Sequence, residues 1–274
     1  MEELLWEGVA MSTAASLGFA WAMIRKKNMQ HWLPSYYAGR VRRRLRRYDG
    51  HRHVLFCFVD HFEPEWRRPT LDVARARVEA WRQQYPEVVK GFVDADGRPP
   101  VHSFFFPQEE YRPEYINGLV SLCRQGLGEI EIHLHHDNDT AEGLRQKLEL
   151  FKQQLMAHDC LPVDASGKAR YAFIHGNWCL DNARPDGRWC GVNNEIEILA
   201  NTGCYADFTL PAAPNAAQTA QVNSIYYAVE DPSKPRSHDT GPVARVGRSQ
   251  LGDLMLIQGP LALNWRQRSG LVFP

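Results

Sequence analysis

Residues 128–139 read Gly-Glu-Ile-Glu-Ile-His-Leu-His-His-Asp-Asn-Asp, and this stretch decides the fold. Glu129 to Leu134 reads as a strand built on the apolar Ile130-Glu131-Ile132. It lies between two helical patterns, 112–126 ended by Gly126 and 140–157. The second has Thr140 as its cap, Glu142 and Gly143 in its first turn, and Leu144, Leu148, Phe151 and Leu155 on one face. A strand between helices is the repeating unit of an α/β sheet.

The same alternation extends both ways. Upstream, His53 to Val59 (HVLFCFV) is a continuous apolar run of the kind a strand buried on both faces shows. Helical spacing follows over 70–85, with Pro86 as a stop signal, then a turn at 94–97 and a strand from Val101 to Phe106. Downstream come strands at Tyr171 to Ile174, Cys204 to Phe208 and Leu254 to Ile257, with a helix from Asn194 to Ala200. Strands alternating with helices predict a parallel α/β sheet, closed or open. The segments 211–221 and 231–242 read as loops, and no internal repeat is present.

Bulk properties narrow the classes. The 274 residues carry 32 basic and 32 acidic side chains, so net charge does not mark a polyanion-binding protein. With 44% hydrophobic and 23% charged residues the chain is globular rather than disordered or collagenous. The six cysteines form no C-x-x-C pair, which removes zinc-ribbon and thioredoxin-type sites.

The N-terminus departs from this average. Residues 8–24 (GVAMSTAASLGFAWAMI) carry no charge, near the lower limit for a membrane span. Arg25-Lys26-Lys27 follows, and 40–47 (RVRRRLRR) adds six arginines in eight residues. The apolar segment is either an anchor or an amphipathic helix lying on a membrane or on the domain. Basic residues after it would hold the rest of the chain on the cytoplasmic face of the plasma membrane. The arginine run lacks interleaved aromatics, so it reads as attraction to anionic lipid rather than to nucleic acid. The expected organisation is an apolar helix over 1–27, a basic segment over 28–50 and one domain over 51–274, whose apolar ending at 271–274 is compatible with a longer native chain.

Chemistry in α/β sheets gathers at strand C-termini. Here those ends carry Asp60-His61 with Glu63; Gln108-Glu109-Glu110; the run His133 to Asp139; and His175-Gly176-Asn177-Trp178. Three histidines and two aspartates within residues 133–139 are costly to pack unless something satisfies them, and imidazole with carboxylate suits zinc or a similar divalent ion. His133 and His135 project to one strand face and Asp137 continues it. Asp60 is a further ligand candidate, His175 and His238 are candidate acid–base or substrate groups, and the implied class is metal-assisted hydrolysis of an amide or ester.

In order and spacing, Phe58-Val59-Asp60-His61, Val101 to Phe106, Gly128 to His133 and Leu254 to Gln258 together resemble the polysaccharide deacetylases, the NodB-homology carbohydrate esterases, over about residues 53–262. The resemblance implies a distorted (β/α) barrel that removes N- or O-acetyl groups from glycans with an Asp-His-His-bound divalent metal. Carried over, Asp60 is the metal-ligand Asp with Val59 at the base position; shifted by one, Asp60 is the base and His61 the ligand. His133 is the first histidine ligand, and Asp137, His135 or His136 supplies the second. Gln258 stands where the family has its late histidine, so His175 or His238 would take the proton-donor role.

Trp178, Trp189, Asn177, Asn193 and Tyr226 lie on segments read as connections and, with Glu109 and His238, would line a sugar cleft. The expected protein is thus a zinc-dependent deacetylase acting on an acetylated glycan or saccharide intermediate of exopolysaccharide metabolism. The competing expectations are a catalytically inactive NodB-like glycan-binding domain, and a glycosidase using two of Glu63, Glu109 and Glu110.

Overall fold

The structure, a computed structural model, describes residues 2–47 and 49–263, with backbone alone over 2–13. The expected apolar ending at 271–274 lies outside the described residues. Helices α1 (Glu2–Lys26) and α2 (Leu33–Leu45) precede an α/β unit. That unit runs β1 (Phe58–His61), α3 (Leu71–Val89), β2 (His102–Pro107), α4 (Pro113–Cys123), β3 (Gly128–Leu134), α5 (Ala141–Met156), β4 (Tyr171–His175), α6 (Glu195–Thr202), β5 (Cys204–Asp207), β6 (Ile225–Ala228) and β7 (Leu254–Ile257). The seven strands form one curled sheet in the order β1-β2-β3-β4-β5-β7-β6. All neighbours are parallel except β6, which pairs antiparallel with β7. Among the described residues no ladder joins β1 to β6, so the sheet is an open half-barrel.

Period-2 alternation gives this sheet two different faces. Phe104, Phe106, Ile130, Ile132, Leu134 and Phe173 face the helices and merge with Leu144, Leu148, Phe151 and Leu155 of α5 in the main core. Truncating any one of those four fully buried α5 side chains to alanine would cost about 2–5 kcal/mol. The opposite, inner face carries a smaller apolar cluster, Phe105, Ala172 and Ile174 with Val59 and Phe208. Glu131 and His133 alternate with the core residues of β3 and therefore share that inner face.

The helix after the histidine run starts as its sequence demands: Thr140 Oγ1 accepts from the Gly143 N–H at 3.0 Å, and Asp139 Oδ1 accepts from the Thr140 N–H at 2.9 Å. Three expectations are corrected. The first strand begins at Phe58, not His53, and Val54, Leu55 and Phe56 are exposed. Its one neighbour among the described residues, β2, starts at His102 opposite Phe58, because Pro99 and Pro100 before it cannot carry a ladder. Helix α3 runs through Pro86 to Val89. The carbonyl that loses its donor belongs to Arg82, which is exposed and open to water. Finally, Ile225–Ala228, read as a connection, is a strand.

No helix among the described residues is long and apolar enough to cross a membrane. The six cysteines are free.

Candidate metal centre

Adjacent residues on a strand point to opposite faces, and this sorts the candidates. Asp60 turns toward the helices, where its Oδ1 lies 3.1 Å from His102 Nε2. His61 turns to the inner face, and its ring meets that of His133 at 4.5 Å. Asp60 therefore does not join His133; His61 does. The chain then curls so that Glu63 Oε1 sits 3.6 Å from His61 Nδ1, 3.4 Å from His133 Nε2 and 3.8 Å from His135 Nε2. His61, Glu63 and His133 each offer a ligand atom within 4.8 Å of the others. The rings of His133 and His135 lie 4.6 Å apart.

Proton accounting shows what this group lacks. His133 Nδ1 lies 3.1 Å from the Ile174 carbonyl oxygen. A carbonyl only accepts, so Nδ1 carries the proton and Nε2 is left with a lone pair. That Nε2 is buried and has no hydrogen-bond partner. His135 is held the same way, its Nδ1 bonded to the Glu109 carboxylate, which also only accepts. Two lone pairs and the Glu63 oxygen thus face one another at distances that leave room for a cation. Outer hydrogen bonds from Nδ1 to a carbonyl and a carboxylate are those that orient metal-ligating histidines. Burial disfavours charge on Glu63, yet the imidazoles of His133, His61 and His135 around it outweigh that and hold the carboxyl well below the usual range. Burial keeps the His133 ring neutral, as a ligand must be. Two imidazoles and a carboxylate, with the His135 ring beside them, suit zinc or another borderline divalent ion.

The surroundings keep this centre reachable. A cavity of about 340 Å³ is lined by Asp60, His61, Glu63, Arg77 and Trp81. Trp178, 45% exposed, lies with its ring 5.6 Å from that of His61. Gly176 is needed for the close approach of β4 to β3, since a Cβ there would come within 2.4 Å of His135 Cδ2. Glu110, bonded to the Glu65 N–H at 2.7 Å, has its carboxyl pushed up to about 7 by burial and by the fields of Glu63, Glu65 and Glu109.

A second group lies on the helix side. His136, His175, Cys190 and Glu195 are buried with their ligand atoms within 4.8 Å, and by proximity could hold a metal ion. Part of their hydrogen bonding is already filled from within the protein, although His136 Nδ1 and His175 Nε2 are buried without a hydrogen-bond partner. Glu195 Oε1 lies 3.2 Å from His136 Nε2, and Glu195 Oε2 accepts from the Asp181 N–H at 2.6 Å and from the Cys190 thiol at 3.3 Å. The other nitrogen of His136 faces Asp139 Oδ2 at 3.3 Å, and Lys147 bonds the same oxygen at 2.7 Å. His175 Nδ1 accepts from the Asn177 N–H at 3.2 Å, which places its proton on Nε2, toward Glu195 at 4.0 Å. To ligate through Nε2, His175 would have to move that proton against the Asn177 N–H. Burial holds the His175 ring neutral, down to about 3, and pushes the Cys190 thiol far up, so it stays S–H.

The remaining candidates scatter. His175 belongs to the second group, away from the first, so the expected proton donor is a buried ring apart from the His61 centre. His136 separates from His133 and His135 for the same reason of alternating direction. Asp137 accepts from the Trp189 N–H, and Trp189 stacks under Arg184 at 4.4 Å. Asn193 accepts from Asn182 Nδ2 at 2.8 Å, and Asn177 Nδ2 donates to the His136 carbonyl at 3.1 Å. Tyr226 and His238 are fully buried, Tyr226 Oη donating to the His238 carbonyl, so neither faces a cleft. Of the expected sugar-contacting residues, Trp178 and Glu109 stand beside the centre. Glu63 was not expected as a ligand, although His61-x-Glu63 has the same spacing as His133-x-His135. No family model, no curated protein and no solved structure matches the chain.

Proposed function

We propose that the chain is a divalent-metal-dependent hydrolase of the polysaccharide-deacetylase type, removing acyl groups from a saccharide. The observation that carries this reading is the pair of Nε2 lone pairs of His133 and His135 converging on Glu63 while both Nδ1 protons are committed outward. A divalent ion held by His61, Glu63, His133 and His135 would polarise an acyl carbonyl and acidify water.

The protein groups supply the rest. Glu109 holds the proton at His135 Nδ1 and so fixes that ring. Asp60, on the helix side of the strand with Oδ1 3.1 Å from His102 Nε2, lines the same cavity as His61 and Glu63, and in this reading it takes up a proton through that cavity rather than from among the ligands. This corresponds to the register in which Asp60 is the base and His61 the ligand. The open face of Trp178 beside His61 offers an apolar platform for a sugar ring. The chain lacks a histidine near Gln258, whose Nε2 is instead tied to Thr219 and Gln221, so Glu110 is the better candidate for returning a proton to the leaving group.

Elemental analysis of the purified chain, followed by acetate release from acetylated oligosaccharides, tests the proposal. The expected result is about one divalent ion per chain, lost in His133→Ala and Glu63→Gln together with acetate release. A chain that takes up no zinc, manganese or cobalt, or that keeps its metal in both variants, overturns it. Metal retained without release of any acyl group would put the glycan-binding reading in its place.

A further inference from the structure

The exposed parts of the two N-terminal helices stand out as a surface that nothing covers among the described residues. Helix α2 docks through Trp32 and Tyr36, which pack with Val222, and Ser35 Oγ accepts from the Val222 N–H at 3.4 Å. Its junction with α1 is tied down by Asn28 Nδ2, which donates to the Pro214 carbonyl at 2.9 Å. The other side of α2 presents Tyr37, Val41 and Leu45, four residues apart and therefore on one face, and Leu45 is 79% exposed. Around this stripe stand Arg40, Arg42, Arg43, Arg44, Arg46 and Arg47, all exposed. Elsewhere Arg75, Arg82, Arg112, Arg184 and Arg236 each meet a carboxylate. None of the six does so among the described residues.

Helix α1 adds the complementary property. Every residue from 14 to 22 is exposed, although the segment contains Leu17, Phe19 and Trp21 and no charge. A helix apolar on all sides is normally buried, and exposed apolar patches of this kind mark interaction sites. The partner must accept both an apolar helix and six unpaired cations. A lipid surface with anionic headgroups does, the arginines meeting the phosphates while apolar side chains enter the acyl boundary.

We infer that α1 and α2 together form a docking surface for an anionic bilayer, in which α2 lies along the interface and the exposed part of α1 inserts without crossing. This replaces a spanning anchor with a peripheral attachment, and it is independent of the reaction at the His61 centre.

Co-sedimentation of the full chain with vesicles tests it. The chain should sediment with equimolar phosphatidylcholine and phosphatidylserine and far less with phosphatidylcholine alone, and rising salt should release it. Each arginine near such a surface contributes roughly fivefold in affinity, so R42Q/R43Q/R44Q should bind on the order of a hundredfold more weakly. R42K/R43K/R44K should stay close to wild type, which separates charge from helix damage. Trp21→Ser should weaken binding to the anionic vesicles without abolishing its salt dependence. Equal binding to both vesicle types, or a glutamine variant that binds like wild type, overturns the inference. So does tighter binding to a single-stranded oligonucleotide than to vesicles, or a dimer that depends on Trp21 in a chain that ignores vesicles.

Discussion

His135 and His136 are neighbours in the chain but belong to chemically opposite places. His135 joins His61, Glu63 and His133 on the inner face, where lone pairs confront an ionised carboxylate across a gap. His136 joins His175, Cys190 and Glu195 under the helices, where Glu195 already accepts from the Asp181 N–H and the Cys190 thiol while His136 Nδ1 and His175 Nε2 keep no hydrogen-bond partner. The second group is the more deeply buried and brings two imidazoles, a thiol and a carboxylate together, with part of its hydrogen bonding already filled from within the protein. Proximity and burial favour the second group, whereas the placement of the imidazole protons favours the first. What distinguishes them is where each imidazole proton is forced to lie by the carbonyl, carboxylate or N–H on its far side.

Experiments that separate the two regions sharpen this contrast. The largest effect is expected at Asp60: Asp60→Asn should keep the metal, since Asp60 faces away from the ligands, but lower the rate of acyl hydrolysis by about 10²–10⁴-fold, read from acetate release beside elemental analysis. Loss of metal in this variant would return Asp60 to the ligand set.

Glu195→Gln should destabilise the fold by about 3–5 kcal/mol, because it leaves His136 buried between one carboxylate and an amide. Denaturant unfolding measures this, and the metal content should not change. A variant of full stability that loses its metal would instead make the buried group the metal site.

A third test uses pH. Burial, opposed only in part by Thr209, raises the Asp207 carboxyl to about 7. Its ordinary value is 3.8, so between about pH 4 and pH 7 the unfolded chain loses a proton that the folded chain keeps. This contribution to stability is complete below the lower value and is lost as pH rises to the upper one. The difference in unfolding free energy between wild type and Asp207→Asn should therefore move in favour of the variant across that window, by a few kcal/mol at most. A pH-independent difference would show that Asp207 ionises normally.

The smallest expected effect is that of Glu109→Gln, which keeps a hydrogen bond to His135 but removes its charge. Metal affinity should fall about 10–100-fold, measured by chelator competition, with stability nearly unchanged.

Much of the architecture was legible along the chain. Strands β2, β3, β4, β5 and β7 and helices α4, α5 and α6 lie within a few residues of where apolar periodicity and caps place them. Thr140 is an example, since its hydroxyl, the Gly143 N–H and the apolar face of α5 are all local features. The start of β1 was not legible. HVLFCFV has a strand's composition at every position, but a ladder needs a partner, and the prolines that delay β2 stand some forty residues away.

The centre divides in the same manner. The sequence by itself determined that histidines and carboxylates would gather at the ends of β1 and β3, because strand ends follow from local pattern. The i, i+2 spacing also set His133 and His135 on one face. Only the tertiary structure decided that His61 rather than Asp60 meets them, that Glu63 closes the group, and that His136 and His175 leave it for Glu195. Those choices depend on strand register, on the curl after Phe62 and on which backbone groups hold each imidazole proton, and none of these is a property of nearby residues in the chain.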